Sequence, residues 1–231
     1  MKKILGISLL LNLLFIIAGL FAMNKLGGPN YILYKLDKSG KAGEYEHRKN
    51  HLAQLPLPKN RIVMLGNSLT AFAEWHELIG RDDIYNRGIA GDFTDGILAR
   101  LDAILQSQPK QLFLMIGVND LLFHPPSYPI GNLEKIIQQI RAQSPDTELI
   151  IQSLLPVNND VRNTRVDNQA IAQVNTALQV FAKQFGVQYL DLASAMSNER
   201  GQLKANLTKD GIHLDAEGYT IWKNALLPIL K

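Results

Sequence analysis

Along the chain, apolar and polar positions follow three patterns in turn. Ile4 to Met23 is an uncharged run of twenty residues, with Ser8 and Asn12 its only clearly polar interruptions. Residues 26–60 reverse this: Gly27-Gly28-Pro29 opens them, the charged stretch Lys35 to Asn50 predicts a linker with one polar helix, and Pro56 and Pro58 close them. From Arg61 onward, short apolar runs alternate with helical spacing. The runs Ile62–Leu65, Ile84–Asn86, Leu112–Ile116, Leu149–Ile151 and Val187–Leu192 predict strands; Ala71–Ile79, Thr94–Leu105, Leu133–Ile140, Val166–Phe185 and Gly218–Leu230 predict helices. Strands alternating with helices pair in parallel through right-handed crossovers, which predicts a three-layer α/β/α domain. In such sheets ligands bind beyond the carboxyl ends of the strands, so the loops there are where chemistry is expected.

The first run changes the picture most. A helix of about 20 residues, rising ~1.5 Å per residue, covers the ~30 Å hydrocarbon core of a bilayer. With Lys2 and Lys3 ahead of it, a transmembrane helix there would keep the amino terminus cytoplasmic and place everything after Lys25 outside. A cleaved signal peptide is the alternative, giving a secreted product; a cut after Ala22 would put Leu20 where a small residue is preferred, so an uncleaved anchor is the expectation. The expected plan is an anchor at 1–25, a juxtamembrane linker or helix at 26–60, and one globular domain at 61–231.

Composition narrows the partners. The 231 residues are 46% hydrophobic and 19% charged, enough apolar material for a sizeable core. The net charge of +3 is accounted for by Lys2, Lys3 and Lys25, since residues 1–25 hold no acid and 3 − 3 leaves 0 for the rest. No basic footprint for nucleic acid remains. The absence of cysteine excludes disulfides, thiolate metal sites and a cysteine nucleophile. His47, His51 and His76 show no metal-ligand spacing, so no metal site is expected.

Four loops at expected strand ends carry reactive or donor groups. Gly66-Asn67-Ser68-Leu69-Thr70 follows the first strand, where Ser68 is either a nucleophile or a helix N-cap; Thr70 occupies the place of the second glycine of a G-x-S-x-G elbow. Asn86-Arg87-Gly88-Ile89-Ala90-Gly91-Asp92 follows the second, Gly117-Val118-Asn119-Asp120 the third, and Asp210-Gly211-Ile212-His213 precedes the last helix. Taken singly, these read as turns, caps and a solvated loop. Together they supply each part of one acyl-transfer mechanism: a hydroxyl, an imidazole with a carboxylate beside it, and amide donors for an oxyanion.

On these four blocks, in this order, the chain from about Arg61 to its end resembles the SGNH or GDSL-type hydrolases. The resemblance implies a flavodoxin-like sheet of five parallel strands and no metal or organic cofactor. It implies Ser68 as nucleophile, His213 as general base, Asp210 as its orienting carboxylate, and an oxyanion hole from the Ser68 and Gly91 backbone N–H groups with the Asn119 side chain. Asn67 stands where the Gly-Asp-Ser form has aspartate, keeping an acceptor oxygen but losing the charge. The stretch Asn86 to Leu101 looks most like the branch of platelet-activating-factor acetylhydrolase subunits and carbohydrate acetylesterases, which implies a short-chain, acetyl-type ester on a carbohydrate as substrate. A lysophospholipid or thioester substrate, acyl transfer to another alcohol, and a non-catalytic polysaccharide-binding module are the alternatives. A flavodoxin-like nucleotide binder is disfavoured, because the first loop lacks the glycine spacing and lysine of a P-loop. His124 is read as a loop or active-site rim residue, and Trp75 and Trp222 as packing residues. The oligomeric state is left open by the sequence.

Overall fold

The computed structural model describes residues 2–25, 28–36 and 41–231. The chain forms two compact units, Met1–Gly43 and Glu44–Lys231. In the first, helices α1 (Lys2–Lys25) and α2 (Gly28–Leu36) are the elements. The side chains described on α1 are those of residues 8–23, and its apolar members, from Leu9 to Phe21, are exposed. Among the described residues no helix is long and apolar enough to cross a membrane. The spanning helix expected over Ile4–Met23 is therefore not supported.

The second unit begins within α3 (Lys41–Gln54) and alternates strand and helix as the periodicity predicts. Its strands are β1 (Ile62–Gly66), β2 (Ile84–Gly88), β3 (Gln111–Met115), β4 (Glu148–Gln152) and β5 (Gln188–Leu190). Between and after them lie α4 (Ser68–Ala71), α5 (Trp75–Ile79), α6 (Thr94–Leu105), α7 (Ser127–Gln143), α8 (Asn168–Phe185), α9 (Ala193–Met196) and α10 (Ala216–Leu226). The sheet is parallel throughout, in the order β2-β1-β3-β4-β5. Every residue of β1 and β3 is buried, as strands covered on both faces require. α6, α7 and α8 pack side by side. α5 and α10 meet through Trp75 and Trp222, both buried, with ring centroids 5.0 Å apart at 77°. The architecture is the expected three-layer α/β/α, and the strand order reverses between β1 and β3. At such a switch point the loops leaving the two strands diverge and open a crevice.

Two elements depart from the periodicity. The single helix expected over Ala71–Ile79 is broken into α4 and α5. The Asn86 side chain donates to the carbonyls of Ala71 and Ala73 at 3.1 and 3.0 Å, and the Trp75 indole donates to Thr70 O at 2.8 Å, so tertiary partners replace helical ones. β5 stops at Leu190, short of the expected Leu192, where Ser153 Oγ accepts from the N–H groups of Leu192 and Ala193, both at 2.9 Å.

Candidate active site

β1 delivers the chain to the carboxyl edge through Gly66, where no side chain fits. A Cβ there would lie 2.3 Å from Thr70 Oγ1 and 2.4 Å from the Met115 carbonyl. The next residue, Asn67, is the cap of α4: its Oδ1 accepts from Leu69 N–H at 3.0 Å, while its buried Nδ2 has no hydrogen-bond partner. Ser68 is thus not the N-cap, and its hydroxyl is committed elsewhere. His213 Nε2 lies 3.0 Å from Ser68 Oγ, and His213 Nδ1 lies 2.6 Å from Asp210 Oδ2.

The charge state of Asp210 settles the direction of this relay. Burial pushes its carboxyl up, but the hydrogen bonds it accepts from the His213 ring and from the His213 and Ile212 N–H groups outweigh that and hold it at about 2. A carboxylate only accepts, so Nδ1 carries the hydrogen and Nε2 presents a lone pair to the Ser68 hydroxyl. The loop that brings the pair into line is closed by a bridge between Thr208 and Leu214 and by Asp215, which caps α10 through Glu217 N–H at 3.2 Å. Gly211 is required in it: φ is +82°, and a Cβ would sit 2.5 Å from Asn158 O.

The glycine and asparagine blocks meet beside this relay. Gly91 turns the chain at φ +75°, and Asn119 Nδ2 donates to Asp92 O at 2.9 Å, tying the loop after β3 to the loop after β2. Asp92 in turn accepts from Arg100 Nε and Nη2 at 3.0 and 2.9 Å, and Arg100 also donates to Arg87 O at 2.8 Å and Gly66 O at 3.3 Å. One guanidinium therefore braces the ends of both β1 and β2. Sequence reasoning missed it, since Arg100 stands eight residues from Asp92 and no helix-face spacing links them.

Asp120 makes a second brace that the sequence did not reveal. It is fully buried and accepts from Thr94 Oγ1 at 2.5 Å and Thr94 N–H at 3.1 Å, while Asn132 donates to Thr94 Oγ1 at 2.9 Å. Burial raises its carboxyl from 3.8 to about 7 against the lowering effect of the Thr94 bonds. A carboxyl whose pKa is higher folded than unfolded holds more protons in the native state between the two values, so it lowers stability as pH rises from about 4 to about 7 and changes nothing beyond. The melting temperature of Asp120→Asn is expected to lack this part of the decline over that window, at roughly 2–4 °C for each kcal/mol removed. Parallel pH profiles for parent and variant would show the shift to be absent.

The remaining residues fall away from the centre. His124 is buried and stacks on Tyr128 with centroids 3.8 Å apart, so it packs against α7 instead of lining a rim. Phe72 does stand at the site: its ring is 5.1 Å from the His213 ring and 56% exposed.

Fold and site geometry together define a class, three-layer α/β/α proteins with a Ser-His-Asp relay on loops at the carboxyl edge of a parallel sheet and no G-x-S-x-G elbow. Residues 64–221 match the GDSL-like Lipase/Acylhydrolase family, and the chain belongs to it. It is a carboxylic ester hydrolase. Among its relatives, the human platelet-activating factor acetylhydrolase IB subunit alpha2 is 28% identical over 165 residues, 68% of this chain and 70% of that one. A Streptococcus pneumonia structure, assigned provisionally as a platelet activating factor, is 30% identical, with a TM-score of 0.76 over 87% of this chain and 99% of its own. An acetyl-xylooligosaccharide esterase mutant from Geobacillus Stearmophilus shares the fold at 16% identity, with a TM-score of 0.61 over 75% of this chain and 95% of its own.

Proposed function

We propose that the protein hydrolyses short-chain, chiefly acetyl, esters of carbohydrates through a Ser68 acyl-enzyme. The observation that carries this reading is the unbroken relay from Asp210 through His213 to Ser68, with links of 2.6 and 3.0 Å. Ser68 Oγ attacks the ester carbonyl while His213 Nε2 takes its proton, and the carbonyl oxygen becomes an oxyanion. Backbone N–H groups of Ser68 and Gly91 and the Asn119 amide are the donors assigned to that oxyanion. Collapse of the tetrahedral intermediate breaks the bond to the alcohol, which leaves with the proton from His213. Water then attacks the acyl-enzyme, gives its proton to His213 and releases the acid with Ser68 restored. Asp210 stays ionised throughout the working range, because it is held at about 2, and it steadies the imidazolium at each transfer.

The acetyl preference is supported by relatives whose names specify acetyl esters. It is tested by turnover of p-nitrophenyl acetate, butyrate and octanoate by the full chain. Here kcat/KM is expected to fall at least tenfold from acetate to octanoate; a rise with length would assign the site to long-chain lipids. For location, we place the enzyme at the outer face of a membrane, a reading supported by the uncharged run Ile4–Met23 and the exposed apolar side chains of α1. Fractionated cells are expected to hold the full-length chain in the membrane, and a shortened soluble form would contradict this.

A further inference from the structure

Two cavities of the second unit, of about 600 and 400 Å³, are lined by residues such as Arg61, Asp83 and Lys110 that precede strands, so they open at the amino edge of the sheet, away from Ser68. A third, of about 380 Å³, lies at the break between α4 and α5. It is lined by Phe72, Ala73, Glu74, Glu77, Leu78 and Tyr219. Phe72 joins it to the site, since its ring is 5.1 Å from that of His213. Its far wall is fixed: the Tyr219 hydroxyl donates to Leu69 O at 2.9 Å, and its ring lies parallel to Trp222 with centroids 6.1 Å apart.

We infer that this cleft is the subsite for the alcohol half of the ester, and that it takes a neutral sugar and rejects anionic alcohols. The inference rests on the esterase reading above. In that mechanism the alcohol oxygen must receive its proton from His213, so the alcohol lies on the imidazole side of the reacting carbon while the carbonyl oxygen points to the oxyanion donors. Phe72 borders the imidazole there. It is the one phenylalanine of residues 44–231 that is exposed, so its ring offers an apolar face to a ligand beside His213. A flat apolar face meets the C–H face of a pyranose, and carboxylates accept from sugar hydroxyls; Glu74 and Glu77 supply those acceptors on the same wall. No basic side chain lines the cleft, and Glu77 has only His76 Nε2 beside it, at 3.7 Å, so a phosphate or carboxylate on the alcohol would meet like charge. Its volume falls in the range of about 300–1,000 Å³ usual for small-ligand sites, enough for one or two sugar rings.

The test holds the acyl group constant and varies the alcohol. Ethyl acetate, a mono-acetylated methyl xyloside and acetoxyacetate are hydrolysed by the full-length parent, Phe72→Ala, and Glu74→Gln/Glu77→Gln. Phe72→Ala is expected to lower the ratio of kcat/KM on the xyloside to that on ethyl acetate by about tenfold, chiefly through KM. The double glutamine variant is expected to raise the ratio of acetoxyacetate to ethyl acetate by about three- to tenfold. If Phe72→Ala lowers both substrates equally, Phe72 merely supports His213 and the subsite is overturned; unchanged ratios in both variants overturn it as well. Absence of Ser68-dependent turnover of every acetate by the parent would instead remove the esterase reading itself.

Discussion

Replacing Ser68 by alanine is expected to lower kcat for p-nitrophenyl acetate by about 10⁴–10⁶-fold, because triad members act as one unit and their loss leaves only binding and oxyanion stabilisation. Folding should be nearly untouched. Among the described residues the hydroxyl's hydrogen bond is to His213, at the carboxyl edge of the sheet, and the cap of α4 is made by Asn67. His213→Ala should cost a similar factor, and Ser68→Ala/His213→Ala little more than either alone. Stopped-assay kinetics with melting temperatures in parallel read both points. Multiplying losses in the double variant would mean that the two side chains act independently, which a proton relay does not allow.

The second large effect is expected at Asn119. Removal of one side-chain oxyanion donor costs roughly 10²–10³-fold in kcat in comparable acyl-transfer sites. Beyond the oxyanion role proposed for it, Asn119 donates one N–H to Asp92 O at 2.9 Å and holds the turn that follows Gly91. Asn119→Ala should therefore fall toward the larger end of that range, with KM changed much less than kcat. Asn119→Asp should fare no better, for it replaces both N–H donors by acceptors and sets a negative charge beside the developing oxyanion. A loss confined to KM would show that Asn119 binds the ground state and does not act on the transition state.

Ser68, Gly91 and Asn119 were legible as candidates before the fold because each lies in a short block at the end of a predicted strand, and Asp210 and His213 because theirs stands just ahead of the last helix. Three apolar runs, Ile62–Leu65, Leu112–Ile116 and Leu149–Ile151, are too short for helices and too uniformly apolar for surface, so the carboxyl edge could be located and its loops inspected. Bringing Ser68 within 3.0 Å of a residue 145 positions later was not readable from spacing; it depended on the family likeness. Periodicity also had no access to side chains that interrupt backbone order. Asn86 takes the carbonyls of Ala71 and Ala73 from a different strand end, and this breaks a helix whose apolar spacing is intact. Arg100 and Asp120 escaped for a related reason: buried charged residues look like surface residues in a sequence until their partners are known. The expectation for residues 26–60 is a linker with one polar helix; the second unit begins at Glu44 inside α3, and Tyr45 approaches within 2.9 Å of the space a Gly96 side chain would fill. A glycine inside α6 gave no sign of what lay against it.

A nucleophilic Ser68 must become covalently bonded during attack. A p-nitrophenyl alkylphosphonate mimics the tetrahedral intermediate and is not released by water on the assay timescale, so it traps that bond. Treatment of the full-length protein is expected to release one p-nitrophenol per chain, to abolish esterase activity in proportion, and to leave a single phosphonyl group on the peptide carrying Ser68. His213→Ala should react far more slowly and Ser68→Ala not at all. Activity that survives complete modification, or a label on any other residue with Ser68 unmodified, would contradict the assignment of Ser68 as nucleophile.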